Sequence, residues 1–235
     1  MQPEPHDPNP AGEGPSVANV LFADRTEAGR QLALLMQADD LDRPIVLGVP
    51  RGGVPVAIEV AKRLGAPLDL LIVRRIAAPG HPDMGIGAVV YGPEPHTVLD
   101  DDRVGQFTIP PGYLEDERQH QLVEAERRWR MYRGTAPAID LKGRDVVLVD
   151  DGVTTGITLR AAIVAIRKAN PKSIHLAVPV ASDKAMALLR PKVDGLTAIH
   201  VLDTASKVGE FYGSAEAPDD DVVNQMLSRA AVLLN

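Results

Sequence analysis

The chain contains no cysteine in 235 residues. Disulfides, thiolate nucleophiles and cysteine-ligated zinc are therefore excluded. Aromatic residues are 3% of the sequence, so the stacking platforms that hold single-stranded nucleic acid are not expected. Positive charge is in deficit: 25 Lys and Arg face 32 Asp and Glu, a formal net charge of -7, with no dense basic block. Nonspecific attraction to nucleic acid or to an anionic membrane is disfavoured. No apolar run approaches the roughly 18 residues that suggest a membrane span. The first residues also lack the basic-then-apolar layout of a secretion signal. The expectation is a cytoplasmic protein with no nucleic-acid or membrane partner. What is present is a 45% hydrophobic composition, enough to build a real core in one or two domains.

Residues 1–18 (MQPEPHDPNPAGEGPSVA) are rich in Pro, Gly and acid and hold almost no large apolar group. Such a segment cannot repay its ordering entropy, so a mobile tail is expected before a single domain over 19–235. Helical spacing follows in Thr26–Ala38, through Ala28, Leu32, Leu35 and Met36. The chain then alternates. Short apolar runs at Ile45–Val49, Leu68–Val73, Val146–Val149, Ile174–Val180 and Leu196–Leu202 read as buried strands. Val56–Leu64, Thr158–Lys168 and Lys184–Leu189 read as helices between them. This pattern predicts an α/β fold, a twisted parallel sheet with helices on both faces.

An insertion at about 77–137 breaks the rhythm. Turn formers in APGHPDMGIGAVV suggest a flexible hairpin around Ile86–Tyr91 and Thr97–Leu99. Tyr113–Tyr132 is highly charged, with Leu114, Leu122, Ala125 and Trp129 on one narrow stripe. It reads as a surface helix held by charge pairs one turn apart. A movable arm that covers a site or meets a second subunit is the sharper alternative. Three acids open Asp219–Asn235, where carboxylates suit the positive end of a docking helix.

The most informative stretch is VVLVDDGVTTGITL, Val146–Leu159. An apolar strand ends in Asp150 and Asp151, at the carboxyl end of a parallel strand, where open α/β sheets bind ligands. Two adjacent carboxylates repel unless they face hydroxyls or a divalent cation. Gly152, Val153, Thr154, Thr155, Gly156, Ile157 and Thr158 then supply backbone N–H groups, hydroxyls and the positive end of a helix, an anion cradle. Together they suit a ligand with vicinal hydroxyls and a phosphate one sugar apart. A Walker A loop is excluded, because no Gly-Lys-Ser/Thr ending is present. The plain alternative, an Asp-Gly turn before a Thr-capped helix, accounts for DDG but not for the whole run.

This run resembles the signature of type I phosphoribosyltransferases, which bind 5-phosphoribosyl-1-pyrophosphate (PRPP). The resemblance implies that Asp150 and Asp151 hold the ribose hydroxyls while Val153–Thr158 cradle the 5′-phosphate. LGVPRGGVPVA, Leu47–Ala57, is similar to the pyrophosphate loop of that family. Pro50, Arg51, Gly52 and Gly53 would approach the anion there, and such loops often carry a strained or cis peptide, here Pro50–Arg51. Arg74 and Arg75 would add pyrophosphate-binding charge. Relatives usually read Arg-Lys at this point, so Arg75 changes the geometry. The likeness runs from about Ala23 to Val223 and extends through IVRRIAAPGHPDMGIGAV to a little-characterised branch.

The reaction so implied is transfer of the phosphoribosyl group to a nitrogenous acceptor with release of pyrophosphate, as in nucleotide salvage. Asp150, Asp151 and Arg51 are the expected catalytic residues. Mg²⁺ would arrive with PRPP and meet Asp150 and Asp151, since it favours oxygen ligands and retains waters. Ala77–Gln106 is the expected water-excluding cover. A small hood from the N-terminal helix and Asp203–Ser214 would take the acceptor base. Phe211 or Tyr212 could stack on that base or pack the core, and packing is the better expectation. His81 reads as a surface residue, with proton transfer as its alternative role. A homodimer is among the expectations. The rival functions are a PRPP-binding regulatory sensor with little turnover, and a hydrolase with Asp150 as nucleophile.

Overall fold

The computed structural model describes residues 20–36, 41–92, 95–134, 137–203 and 207–234. The expected tail at 1–18 lies outside them. The core is a five-stranded parallel sheet in the order β2-β1-β6-β7-β8, from Leu68–Leu70 (β2), Ile45–Gly48 (β1), Asp145–Val149 (β6), Ser173–Ser182 (β7) and Gly195–Leu202 (β8). Burial on both faces explains the unbroken apolar runs. Val46 and Val147 meet helices α1 (Arg25–Leu34) and α2 (Gly53–Leu64) on one side. Ile45, Leu47, Val146 and Leu148 meet α5 (Ile157–Lys168) on the other. A shorter helix, α6 (Asp183–Leu189), follows β7.

Strand order places the site. The chain goes from β1 outward to β2, and later returns to β1's other side as β6. The loops after β1 and β6 therefore leave neighbouring strands in opposite directions, which opens a crevice at their carboxyl ends.

The apolar run Leu68–Val73 is not one strand. It is divided between β2 and β3 (Val73–Ala78), and β3 belongs to a separate antiparallel sheet with β4 (His81–Val90) and β5 (His96–Leu99). A continuous apolar stretch does not report a change of sheet, because residues of both strands, Leu70 and Val73, are buried. The β4–β5 hairpin accords with the expected one, but the small sheet begins before Ala77. It is sandwiched between α5, through Val73, Ala88 and Val90, and α4 (Tyr113–Arg133), through Ile76, Ile86 and Val89. A one-turn helix, α3 (Asp101–Val104), joins the two parts.

Helix α4 carries the expected ion pairs, including Glu115–Arg118 at 2.7 Å and Glu124–Arg128 at 3.0 Å. It is nevertheless docked along its length rather than lying free. Tyr113 Oη donates to the Ala77 carbonyl at 3.0 Å, Arg74 Nε donates to Gln121 Oε1 at 3.0 Å, and Arg133 Nη1 reaches both oxygens of Asp69 at 2.6 and 2.8 Å. Helix α7 (Asp220–Leu234) closes this side, with Val223 and Ala230 packed among Ile58, Ala125 and Trp129. No helix among the described residues is long and apolar enough to cross a membrane.

The Arg133–Asp69 pair is buried at both ends, each side chain being 8% exposed. Asp69 also accepts the Ile139 N–H at 3.0 Å, and Arg133 lies 4.3 Å over the Trp129 ring. Removing one member strands the other charge in the interior, at a cost of about 3–5 kcal/mol. Arg133→Ala is therefore expected to lower the urea unfolding free energy by that amount. The double variant Asp69→Leu/Arg133→Met should recover much of the loss, as a chemical denaturation series will show.

Candidate functional site

The loop after β1 and the loop after β6 touch. At Gly52 the main chain lies against the Asp151 carboxylate, where a Cβ would stand 2.0 Å from Oδ2. A Cβ on Gly53 would lie 2.9 Å from the Asp150 Cα. Only glycine permits this approach. The Pro50–Arg51 peptide between β1 and these glycines is cis. Gly53 opens α2, and its N–H donates to the Val49 carbonyl at 3.0 Å. Pro50–Gly53 and Asp150–Thr158 thus share one rim of the sheet.

The second loop begins where β6 ends. Val153 forms an isolated bridge with Ala181 of β7, exchanging bonds of 2.9 Å with Val180 and Ser182. Gly156 then turns the chain at φ 76°, where a side chain is disfavoured, and Ile157 starts α5. Gly152, Val153, Gly156 and Ile157 are buried, while Thr154 and Thr158 are half-buried and Thr155 is exposed. The helix therefore starts one residue earlier than its polar pattern indicates. Its N–H groups lie at the crevice with the Thr side chains around them.

The two acids occupy unequal environments. Burial, and then the neighbouring charge of Asp151, push the Asp150 carboxyl well above its ordinary pKa. One of its oxygens accepts the Asp151 N–H at 2.9 Å. Asp151 instead faces a cation: Arg25 Nε lies 2.7 Å from its Oδ2. Arg25 and the Tyr212 hydroxyl, which donates to the Asp151 carbonyl, were not legible as site residues in the sequence. Burial and the charge of Asp151 both disfavour ionisation of Asp150, which counts against it as the nucleophile of a hydrolase.

A cationic cluster stands at the other end of the crevice. Strand alternation separates Arg74 from Arg75. Arg74 is half-buried and turned to α4, whereas Arg75 is exposed, lies along the hairpin at Gly85 and donates to the Pro82 carbonyl. Burial, and then the charges of Arg128 and Arg51 among others, lower the Arg74 pKa. Arg128 follows Gln121 by two turns on the face of α4 that meets β3. The Arg51 guanidinium has no hydrogen bond or ion pair among the described residues. That i, i+7 spacing was the available signal for Arg128, hidden among the many charges of the helix.

Phe211 and Tyr212 are 5% and 2% exposed and pack with Phe22. They serve the core, in line with the better expectation. His81 is exposed, with its ring 5.5 Å from Phe107. Two other concavities, of about 610 and 460 Å³, flank the Asp69–Arg133 pair and include none of residues 50–53 or 150–158.

An open parallel sheet with two small-residue loops meeting at its switch point, one carrying paired acids, is the layout in which α/β sheets bind ligands. The chain belongs to the phosphoribosyl transferase domain family, whose model matches residues 27–206. It is 38% identical over 210 residues to a protein of two Mycobacterium tuberculosis strains that is provisionally named a phosphoribosyl transferase. That match covers 89% of this chain and 47% of the relative, so the chain spans about half the length of the curated relatives it matches. A crystal structure from Thermus thermophilus is 39% identical and superposes with a TM-score of 0.72, covering 88% of this chain and 98% of that one. The Bifunctional protein PyrR of Pediococcus pentosaceus is 43% identical over 77 residues, 32% of this chain and 44% of its own length.

The packing of the two loops can be tested apart from any ligand. Gly53→Ala forces a methyl against main-chain atoms, an overpacking that costs about 1–3 kcal/mol. Arg51→Ala removes a half-buried group with no partner and should stay within about 0.5 kcal/mol of wild type. Paired denaturation curves for the two variants check this contrast.

Proposed function

We propose that the chain is a phosphoribosyltransferase that transfers the 5-phosphoribosyl group of PRPP to a nitrogenous acceptor and releases pyrophosphate. The observation that carries this reading is the contact between the two loops. Gly52 and Gly53 lie directly against Asp151 and Asp150, so one crevice offers carboxylates for hydroxyls beside an arginine for the leaving group.

In this reading Asp150 and Asp151 accept hydrogen bonds from the ribose hydroxyls. Gly152–Thr158 surround the 5′-phosphate with N–H groups and hydroxyls. Pro50, Arg51, Gly52 and Gly53 receive the pyrophosphate, with Arg74 behind them and Arg75 on the hairpin side. The C1–O bond breaks with its electron pair going to pyrophosphate, and the C1–N bond forms to the acceptor, which gives up a proton. Positive charge grows at the sugar ring and negative charge on the departing group, so fixed carboxylates and guanidiniums stabilise opposite ends of the transition state.

The donor set fits Mg²⁺ as a companion of the ligand. Asp150 and Asp151 are oxygen donors, but the described residues contain no cluster of three or more acidic, His or Cys side chains that could hold a metal alone. When bound, the ion supplies positive charge to the pyrophosphate.

Isothermal titration with PRPP and Mg²⁺ tests the reading directly. Charged hydrogen bonds are worth about 1.5–3 kcal/mol, so Asp150→Asn/Asp151→Asn should weaken PRPP binding by at least about 100-fold while leaving the melting curve cooperative. Arg51→Ala should weaken PRPP binding and leave ribose-5-phosphate binding nearly unchanged. Equal loss for both ligands contradicts the role given to Arg51, and undiminished binding by the double variant removes the site. A panel of bases assayed for pyrophosphate release then separates transfer from binding alone.

A further inference from the structure

Arg25 is the first residue of α1, after the Asp24 cap. A cation at a helix N-terminus opposes the dipole, and this one is 6% exposed. Local preference argues against such a residue, so tertiary contacts must hold it there. Its Nε meets Asp151 Oδ2 at 2.7 Å. Its Nη1 donates to the Ser214 and Glu216 carbonyls, both at 2.9 Å, and its Nη2 to the Ala215 carbonyl at 3.2 Å. The guanidinium also lies 4.5 Å over the Tyr212 ring. One planar fork therefore grips the sugar-side carboxylate with one edge and three consecutive carbonyls of 214–216 with the others.

The same segment touches the crevice twice more. The Tyr212 hydroxyl donates to the Asp151 carbonyl. Gly152 is pressed against Val208, where a Cβ would stand 2.8 Å from Val208 Cγ1. Residues 21–23 run beside 211–214, with Leu21 and Phe22 N–H groups donating to the Phe211 carbonyl at 2.9 and 3.1 Å. The region expected to form the acceptor-side hood is thus attached to the sugar site through the Asp151–Gly152 turn.

We propose that Arg25 is a positioning residue that couples the hood to the sugar-binding carboxylate, so that PRPP bound at Asp151 orders residues 211–216. The inference rests on the reading of the crevice as a PRPP site. A ligand that draws on Asp151 changes the charge that Arg25 faces, and the three carbonyls held by the same fork must respond. Lysine can keep a charge beside Asp151, but a single ammonium cannot reproduce the planar fork across three carbonyls.

Hydrogen exchange with and without PRPP and Mg²⁺ tests the coupling with no acceptor needed. In the wild type, PRPP should slow exchange by at least about tenfold both at 152–158 and across 211–216. In Arg25→Lys the slowing at 152–158 should persist and that across 211–216 should fall below about twofold. A purely structural role would change the exchange of the free protein and leave the PRPP-dependent difference intact. Should Arg25→Lys not fold, Arg25→Gln makes the same comparison, since it keeps a donor beside Asp151 and removes the fork. It should diminish the response across 211–216 and leave 152–158 protected. An undiminished response in the folded variant overturns the inference. So does a wild type that binds PRPP without any change at 211–216. A wild type that binds no PRPP overturns the underlying reading, and the coupling with it.

Discussion

Asp150 and Asp151 sit side by side where a buried strand ends, and the covalent chain does not let them separate. In water their repulsion would be mild, but here the first carboxyl is desolvated and the second is only 14% exposed. The protein resolves the conflict by making the environments unequal. Asp150 keeps its proton more readily and accepts one main-chain N–H, while Asp151 is given a guanidinium. That solution draws a residue from the far N-terminal side of the domain into the crevice. The helix α1, the 211–216 segment and the turn after β6 are consequently one electrostatic unit.

The opposite end of the crevice has the opposite imbalance. Arg74 lies within range of the charges of Arg51 and Arg128, and it is made a weaker base by burial and by these neighbours. Glu124 compensates part of this, its own pKa held at about 2 chiefly by its hydrogen bond to Arg127. Asp220, at the start of α7, takes the Tyr132 hydroxyl and an Arg127 contact of 3.1 Å. Among the described residues Arg51 has no such partner. In the proposed reading the acids take the sugar hydroxyls, the amides of 152–158 one anionic group and the arginines the other. That set of groups does not match a neutral ligand or a cation alone.

Where one element decided the pattern, the sequence could be read. The apolar runs of β1, β6 and β7 identified the parallel sheet because strands buried on both faces leave little room for polar residues. The strand, turn and helix from Val146 to Leu159 could be read because they are contiguous. Elements that depend on a distant partner could not. Leu68–Val73 looked continuous, and only the pairing of Val73 with Val90 shows that the chain has changed sheets. Arg74 and Arg75 looked equivalent until alternation in β3 sent them to different neighbours. Arg25 was hidden because its partner lies 126 residues away, and local helix rules disfavour a cation at its position.

Packing narrows the part of the insertion able to act as a cover. Helix α4 is tied to β2 and β3 through Asp69, Arg74 and Ala77, and its ties include one ion pair buried at both ends. The inner half of β4, Gly85–Val90, is buried, with Ile86 and Val89 facing α4 and Ala88 and Val90 facing α5. A movement of the whole hairpin would expose those side chains, at roughly 1.5–3 kcal/mol for each large apolar group. The outer half, His81–Met84, is exposed and carries no such penalty. Of the long stretch that breaks the α/β rhythm, most is therefore scaffold that fixes Arg74 and Arg128. Within the small sheet, opening costs least at this exposed end of the hairpin.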